Sequence, residues 1–254
     1  MRSGFHKAMM WQKPDPNIDL GRDQIHVWRA KLDRPLQDAH SALPCLAEDE
    51  RARARRFHYD DHRRDFIVAR TFLRSVLARY LGRDPAQIKF EYSSHGKPSV
   101  QALKRSAPLF FNLTHSHQLA LLAVTEKAEI GIDVEFIRAV DDGIAERFFS
   151  RSEVAALRAL PSDLQNEAFF NCWTRKEAYI KARGEGLSLA LDEFDVSLAP
   201  GAPAAIIAIS DGEEASMWRL EHLQPEPGYV GALAIQALKA ELKFWDWEWL
   251  DGGT

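Results

Sequence analysis

The run Trp173-Thr-Arg-Lys-Glu-Ala-Tyr-Ile-Lys181, continued by Ala182-Arg183-Gly184-Glu185-Gly186-Leu187, decides how the rest of this chain is read. It closes a helical pattern that opens near Ser162 and stops at Gly184. Residues three or four apart share a helix face, so Trp173, Glu177 and Lys181 form one stripe of ring, carboxylate and ammonium. Taken alone, Glu177 and Lys181 are an ordinary surface ion pair. A second stretch, Ile130-Gly-Ile-Asp-Val-Glu135, changes that weighting. It reads as a strand, on which Asp133 and Glu135 point to the same side. Neighbouring carboxylates repel unless a cation or strong donors lie between them. With Glu177 as a third, they make a hard oxygen site suited to Mg2+, with positions left open for a pyrophosphate.

The 254 residues suffice for one large domain or two of about 125. A hydrophobic share of 46% and a charged share of 28% are ordinary for a globular chain. The net charge of −4 gives no reason to expect nucleic-acid binding. The charge is uneven: Arg51, Arg53, Arg55, Arg56, Arg63, Arg64, Arg70, Arg74 and Arg79 crowd one segment, and acidic residues prevail in the second half. A phosphorylated ligand lying between an anion-attracting half and a cation-attracting half suits that split. Cys45 and Cys172 are far apart and in no metal spacing, which points to a reducing, cytoplasmic setting. No apolar leader follows the first basic residues, and no apolar run reaches bilayer length, so no membrane partner is expected.

Along the chain, residues 1–22 read as a loose arm. Residues 24–30 look like a strand, 47–57 are helical, and a clearer helix runs from about residue 61 to Gly82. Ile88, Phe90 and Tyr92 alternate as in a strand, and His95-Gly-Lys-Pro98 is a turn. Residues 109–113 and 118–125 read as strands joined by the polar connection Thr114-His-Ser-His117. Ser150-Arg-Ser-Glu153 and Ser162-Asp-Leu-Gln165 each resemble a capping box opening a helix. Strands return at 195–198, 205–209, 217–223, 229–237 and 243–249. In the last of these Trp245, Trp247 and Trp249 alternate with acids as in a half-buried strand. The order suggests α+β architecture in two halves of similar build, 1–127 and 128–254. Their joint lies near residues 125–131, and Asp133 and Glu135 follow it. The proposed cation site therefore belongs to the second half, close to the cleft between the two.

Two basic or polar turns join the candidates. Thr114, His115 and Ser116 at a strand end can meet an anion, and Lys97 sits in the short Gly96-Lys97-Pro98 turn. Of the arginines, Arg56 and Arg70 are selected as phosphate contacts, because forked guanidinium donors match phosphate oxygens. There is no Walker-type glycine loop and no kinase signature, which disfavours a nucleotide phosphotransferase.

Phe111-Asn-Leu-Thr-His-Ser116, Gly131-Ile-Asp-Val-Glu135 and Trp173-Thr-Arg-Lys-Glu-Ala-Tyr-Ile-Lys181 resemble, in order and spacing, the three motifs of 4′-phosphopantetheinyl transferases of the surfactin-synthetase-activating (Sfp) type. His95-Gly-Lys-Pro98 and Arg55-Arg56-Phe57 also fit, and the Trp-x-x-Lys-Glu-Ala wording is like the subgroup serving broad or primary carrier pathways. The resemblance spans about residues 24 to 237. It implies a monomer of two similar α/β halves related by pseudo-twofold symmetry, with coenzyme A in the cleft between them. It implies transfer of 4′-phosphopantetheine from coenzyme A to a serine of an apo acyl, peptidyl or aryl carrier protein, releasing adenosine 3′,5′-bisphosphate. By motif position Asp133, Glu135 and Glu177 would hold Mg2+, and Glu177 would take the serine proton, directly or through water. Lys181 would steady the pyrophosphate or leaving group, His115 with Thr114 would meet the 3′-phosphate, and Lys97 would lie near the adenosine. Where some relatives carry lysines after the first strand, this chain has Glu50 and Arg53; Arg53 joins Arg56 and Arg70 as a candidate coenzyme A contact, and which of the arginines meets the 3′-phosphate stays open. The alternative is a coenzyme A or carrier-protein binding module that has lost catalysis.

Overall fold

The computed structural model describes residues 9–15, 17–101, 107–141, 143–210 and 214–249. Its first half runs β1 (Gln24–Lys31), α1 (Leu36–Ser41), α2 (Glu48–Arg55), α3 (Asp60–Leu81), a hairpin of β2 (Phe90–Tyr92) and β3 (Pro98–Val100), β4 (Phe110–Ser116) and β5 (Leu119–Thr125). The second half repeats the order with β6 (Ile130–Phe136), α4 (Ile144–Phe148), α5 (Arg151–Arg158), α6 (Ser162–Arg183), the paired β7 (Phe194–Val196) and β8 (Ile206–Ile209), β9 (Arg219–Leu223) and β10 (Tyr229–Ile235). β5 lies between β1 and β4, and β10 lies between β6 and β9, antiparallel throughout.

The likeness of the two halves that the order of elements suggests shows in one buried device. The third residue of α2, Glu50, and the third of α5, Glu153, each accept the backbone N–H three residues earlier at 3.0 Å. Each carboxylate also takes a cation from the same place in a 22-residue helix: Arg74 of α3 at 2.5 Å and Lys176 of α6 at 2.8 Å. Both helices then stop at a glycine in the left-handed region, Gly82 and Gly184.

Packing follows the strand alternation. On one face of the first sheet Trp28, Ala120, Leu122 and Val124 meet Phe72, Leu73 and Val76 of α3. On the far face of the second sheet Ala232 and Ala234 meet Ala178, Tyr179 and Ala182 of α6. The inner faces meet each other through Ile25, Val27 and Leu121 against Ile132, Val134 and Leu233. Each large side chain so buried contributes about 1.5–3 kcal/mol. This middle layer holds the halves together.

Several sequence expectations shift. Residues 114–116 continue β4 instead of forming the connection to β5, which is only His117-Gln118; His117 adopts φ 50 there. The step from Ser116 to Leu119 needs no longer turn, because those two residues pair directly. Ser162 is not a cap: Pro161 holds that place, and Gln165 Nε2 donates to the Leu160 carbonyl at 2.9 Å. The Ser150 box forms as expected. Met217 falls in a 3-10 turn (Ala215–Met217) before β9.

The final strand, β11 (Glu241–Asp246), stops short of Trp247 and Trp249 and pairs in parallel with β1. A division at residues 127/128 is thus crossed by the chain's last strand. Nor is the whole arm loose: Gln12 bridges to Trp245, and Trp11 packs on Phe244 at 5.2 Å and under Arg29 at 4.4 Å. This covers the edge of β11 that β1 leaves open. Residues 1–8 of the arm lie outside the described residues.

Lys176 is fully buried, and besides Glu153 it donates to the carbonyls of Leu191 and Phe194. Lys176→Met should therefore cost roughly 3–5 kcal/mol in denaturant unfolding, because it strands a buried carboxylate. Adding Glu153→Gln should recover part of the loss; a single variant as stable as wild type would show that the pair is not needed.

Candidate active site

The acid site begins with a glycine. A Cβ built on Gly131 would fall inside the 3.0 Å limit of the Ala178 carbonyl oxygen and the Ala182 amide nitrogen. Gly131 lets the α6 backbone press directly on the β6 backbone. Small residues on the helix side, Ala178 and Ala182, make the same accommodation. Glu177 and Lys181 are thereby brought against Asp133 and Glu135, two and four residues along β6 from the glycine.

In the later turns of α6, Trp173, Glu177 and Lys181 are half-buried while Thr174, Arg175, Lys176, Ala178, Tyr179 and Ile180 are buried. The expected stripe exists. Lys181 Nζ lies 2.5 Å from Asp133 Oδ1, with Thr114 Oγ1 at 3.4 Å and the Ile132 carbonyl at 3.5 Å. Asp133 is buried, and its Oδ2 has no hydrogen-bond partner. Burial pushes the Asp133 carboxyl above its usual range, Lys181 opposes this, and Glu135 adds to it. Glu177 is raised too, first by burial and then by Asp133 and Glu135, against the pull of Lys181. Glu135 thus acts on Asp133, and both act on Glu177. Glu177 has no hydrogen-bonded partner among the described residues.

Among the described residues, no three His, Cys, Asp or Glu side chains stand ready-arranged as a cation site. The expected three-acid grip is thus not closed. Two of its members are held by protein donors: Asp133 by Lys181, and Glu135 by Ser116 Oγ at 2.7 Å with Arg138 at 3.6 Å.

Next to this site lies a cleft of about 270 Å3, lined by Glu50, Arg53, Phe66, Arg70, Tyr92, Gly96, Pro98 and Asn112 among others. It brings together the predicted Arg53 and Arg70 with the glycine turn. Two residues farther along β4 from Asn112, Thr114 donates to Asp133 Oδ1 at 3.0 Å. That step is roughly 7 Å along a strand, so cleft and acid site are neighbours.

The remaining candidates are placed differently. Arg70 is engaged by Glu50 and lies 4.9 Å over Phe90. Lys97 donates to Glu129 at 2.5 Å, to the Ile130 carbonyl at 3.2 Å and to the Ala182 carbonyl at 3.3 Å, so its three N–H donors are all engaged. It fastens the turn to the start of β6 and the end of α6. Arg53 and Arg56 are exposed. His115 is exposed and points away from Thr114, since its register partner Ala120 belongs to the α3 face. Sequence reasoning passed over Gly131 as a packing residue and Ser116 as a partner of Glu135. The period-two spacing of Asn112, Thr114 and Ser116 was the signal for the second.

Comparison with known proteins supplies the rest. A family profile described as "4′-phosphopantetheinyl transferase superfamily" matches residues 129–234, and "4′-phosphopantetheinyl transferase, N-terminal" matches 27–127. The chain is 40% identical to the 4′-phosphopantetheinyl transferase HetI of Nostoc sp., over 92% of this chain and 97% of that one. It is 30% identical to the 4′-phosphopantetheinyl transferase Sfp of Bacillus subtilis, over 82% and 91%. A crystal structure of Thermotoga maritima holo-[acyl-carrier-protein] synthase shares 19% identity at a TM-score of 0.35, over 42% of this chain and 61% of that one, too slight a likeness to carry an argument.

The packing at Gly131 makes a direct prediction. Gly131→Ala should cost roughly 1–3 kcal/mol, read as a lowered thermal midpoint, because helix and strand must part. An unchanged midpoint would mean that α6 does not rest on β6 as described.

Proposed function

This chain belongs to the 4′-phosphopantetheinyl transferase family, and from that premise we propose that it moves 4′-phosphopantetheine from coenzyme A to a serine hydroxyl of an apo carrier protein. The serine oxygen forms a bond to the phosphorus that bears the pantetheine arm. The bond from that phosphorus to the adenosine 3′,5′-bisphosphate oxygen breaks, and the bisphosphate leaves with the electron pair. The observation that carries this reading is the stripe of Glu177 and Lys181 laid over Asp133 and Glu135.

Each residue has a task that its surroundings support. Glu177, without a bonded partner among the described residues and raised above its usual range, is suited to accept the serine proton, directly or through a water. Lys181 supplies positive charge where the leaving phosphate gains negative charge. Asp133, Glu135 and Glu177 would hold Mg2+. The donor set is all oxygen, Asp133 and Glu177 are both raised with Glu135 among the causes, and the buried Asp133 Oδ2 lacks a partner among the described residues, all of which fit a hard cation. When bound, such an ion neutralises charge on the diphosphate. Phe66 and Tyr92 in the cleft suit a purine ring, and Arg53 at its wall suits a phosphate. His115 remains the candidate for the 3′-phosphate, with Arg56 exposed nearer the α2–α3 turn. Lys97 acts on the ligand indirectly, by holding the Gly96–Pro98 wall in place. Among the described residues, no helix is long and apolar enough to cross a membrane. The resemblance supports a cytoplasmic monomer whose partners are coenzyme A and carrier proteins.

Incubation with coenzyme A, Mg2+ and an apo carrier should add the mass of one phosphopantetheine to the carrier. Asp133→Ala should slow this by on the order of 100-fold or more while leaving the thermal midpoint near wild type. No mass gain on carriers from fatty-acid, polyketide and peptide pathways would favour a binding module instead. His115→Ala should weaken coenzyme A more than 3′-dephospho-coenzyme A, and equal losses for the two would reject the 3′-phosphate role.

A further inference from the structure

We propose that Thr114 and Ser116 are positioning residues for the acid site, holding Asp133 and Glu135 across the seam between the halves so that each keeps one oxygen open for a divalent cation. The inference rests on the metal reading given above. The residue spacing is the first support. Asn112, Thr114 and Ser116 alternate along β4, and their register partners Ala123, Leu121 and Leu119 all belong to the layer between the sheets. All three side chains therefore face β6, and His115 faces away.

Their bonds are the second support. Asn112 Oδ1 accepts the Ile132 N–H at 2.9 Å, which sets the register of β6 against β4. Thr114 Oγ1 gives its only proton to Asp133 Oδ1 at 3.0 Å. Ser116 Oγ gives its only proton to Glu135 Oε2 at 2.7 Å and accepts the Phe136 N–H at 3.2 Å. Both hydroxyl protons are thus given to carboxylates in this structure. Asp133 Oδ2, the oxygen that Thr114 does not touch, is the buried atom without a partner.

The third support is where the groups come from. The two hydroxyls belong to the first half and the two carboxylates to the second. The cation site is complete only with the seam closed, so the Phe-Asn-Leu-Thr-His-Ser stretch serves orientation as much as ligand contact. Groups that orient metal ligands typically change affinity 10–100-fold when removed.

Mn2+ binding followed by electron paramagnetic resonance, with and without coenzyme A, tests this. Ser116→Ala and Thr114→Val should each weaken Mn2+ by about 10–100-fold. Ser116→Thr and Thr114→Ser should restore wild-type binding. In turnover, the Mg2+ concentration for half-activation should rise with kcat recovered at saturating Mg2+, and KM for coenzyme A at that Mg2+ should hold. Thermal midpoints identify any variant that fails to fold; Ser116→Cys, similar in size with a weak donor, then replaces the alanine. Unchanged Mn2+ affinity in folded variants overturns the inference and leaves the metal reading intact. So does a loss confined to coenzyme A affinity, which would mean direct phosphate contact. If wild type binds no Mn2+ even with coenzyme A, both readings fall.

Discussion

The contact on which the rest depends is the backbone of α6 resting on the backbone of β6 at Gly131. With any side chain there, helix and strand would stand farther apart, and the charged groups they carry would separate too. Their closeness also explains the charge pattern. Burial pushes Asp133 and Glu177 up because the packing leaves little room for water between them; Glu135 adds to both, and Asp133 adds to the rise of Glu177. Lys181 offsets part of that repulsion by lying against Asp133.

The halves share a scaffold and differ in chemistry. Glu50 with Arg74 and Glu153 with Lys176 fasten each long helix to the short helix before it. Yet where α6 presents Glu177 and Lys181, α3 presents Ser75, bonded by Trp247 Nε1 at 2.8 Å, and Arg79, set 5.8 Å from the Trp28 ring. The first half instead contributes walls and orientation: the cleft beside Arg53 and Tyr92, and the hydroxyls of β4. Lys97 ties these walls to the end of α6.

Much of this was legible in the sequence because it depends on local periodicity. The helix ending at Gly184, the strand from Ile130 and the alignment of Glu177 with Lys181 follow from spacing alone, as does α3 ending at Gly82. What spacing misses is anything fixed by long-range pairing. β11 joins β1 across the whole chain, a partner that no local pattern names. Thr114 and Ser116 looked like turn residues because polar side chains usually mark loops; here they face another strand whose backbone and carboxylates need donors and acceptors. Lys97 and Arg70 looked like free cations for a similar reason. Their carboxylate partners lie 32 and 20 residues away in sequence and meet them only in the fold.

The most direct test is diffraction from crystals grown with coenzyme A and Mn2+, using the manganese anomalous signal to locate the ion. One manganese peak is expected, bonded by oxygens of Asp133, Glu135 and Glu177 and by the diphosphate, with Lys181 turned from Asp133 toward the phosphate. A manganese peak remote from these three acids, or coenzyme A seated away from the seam between β4 and β6, would contradict it.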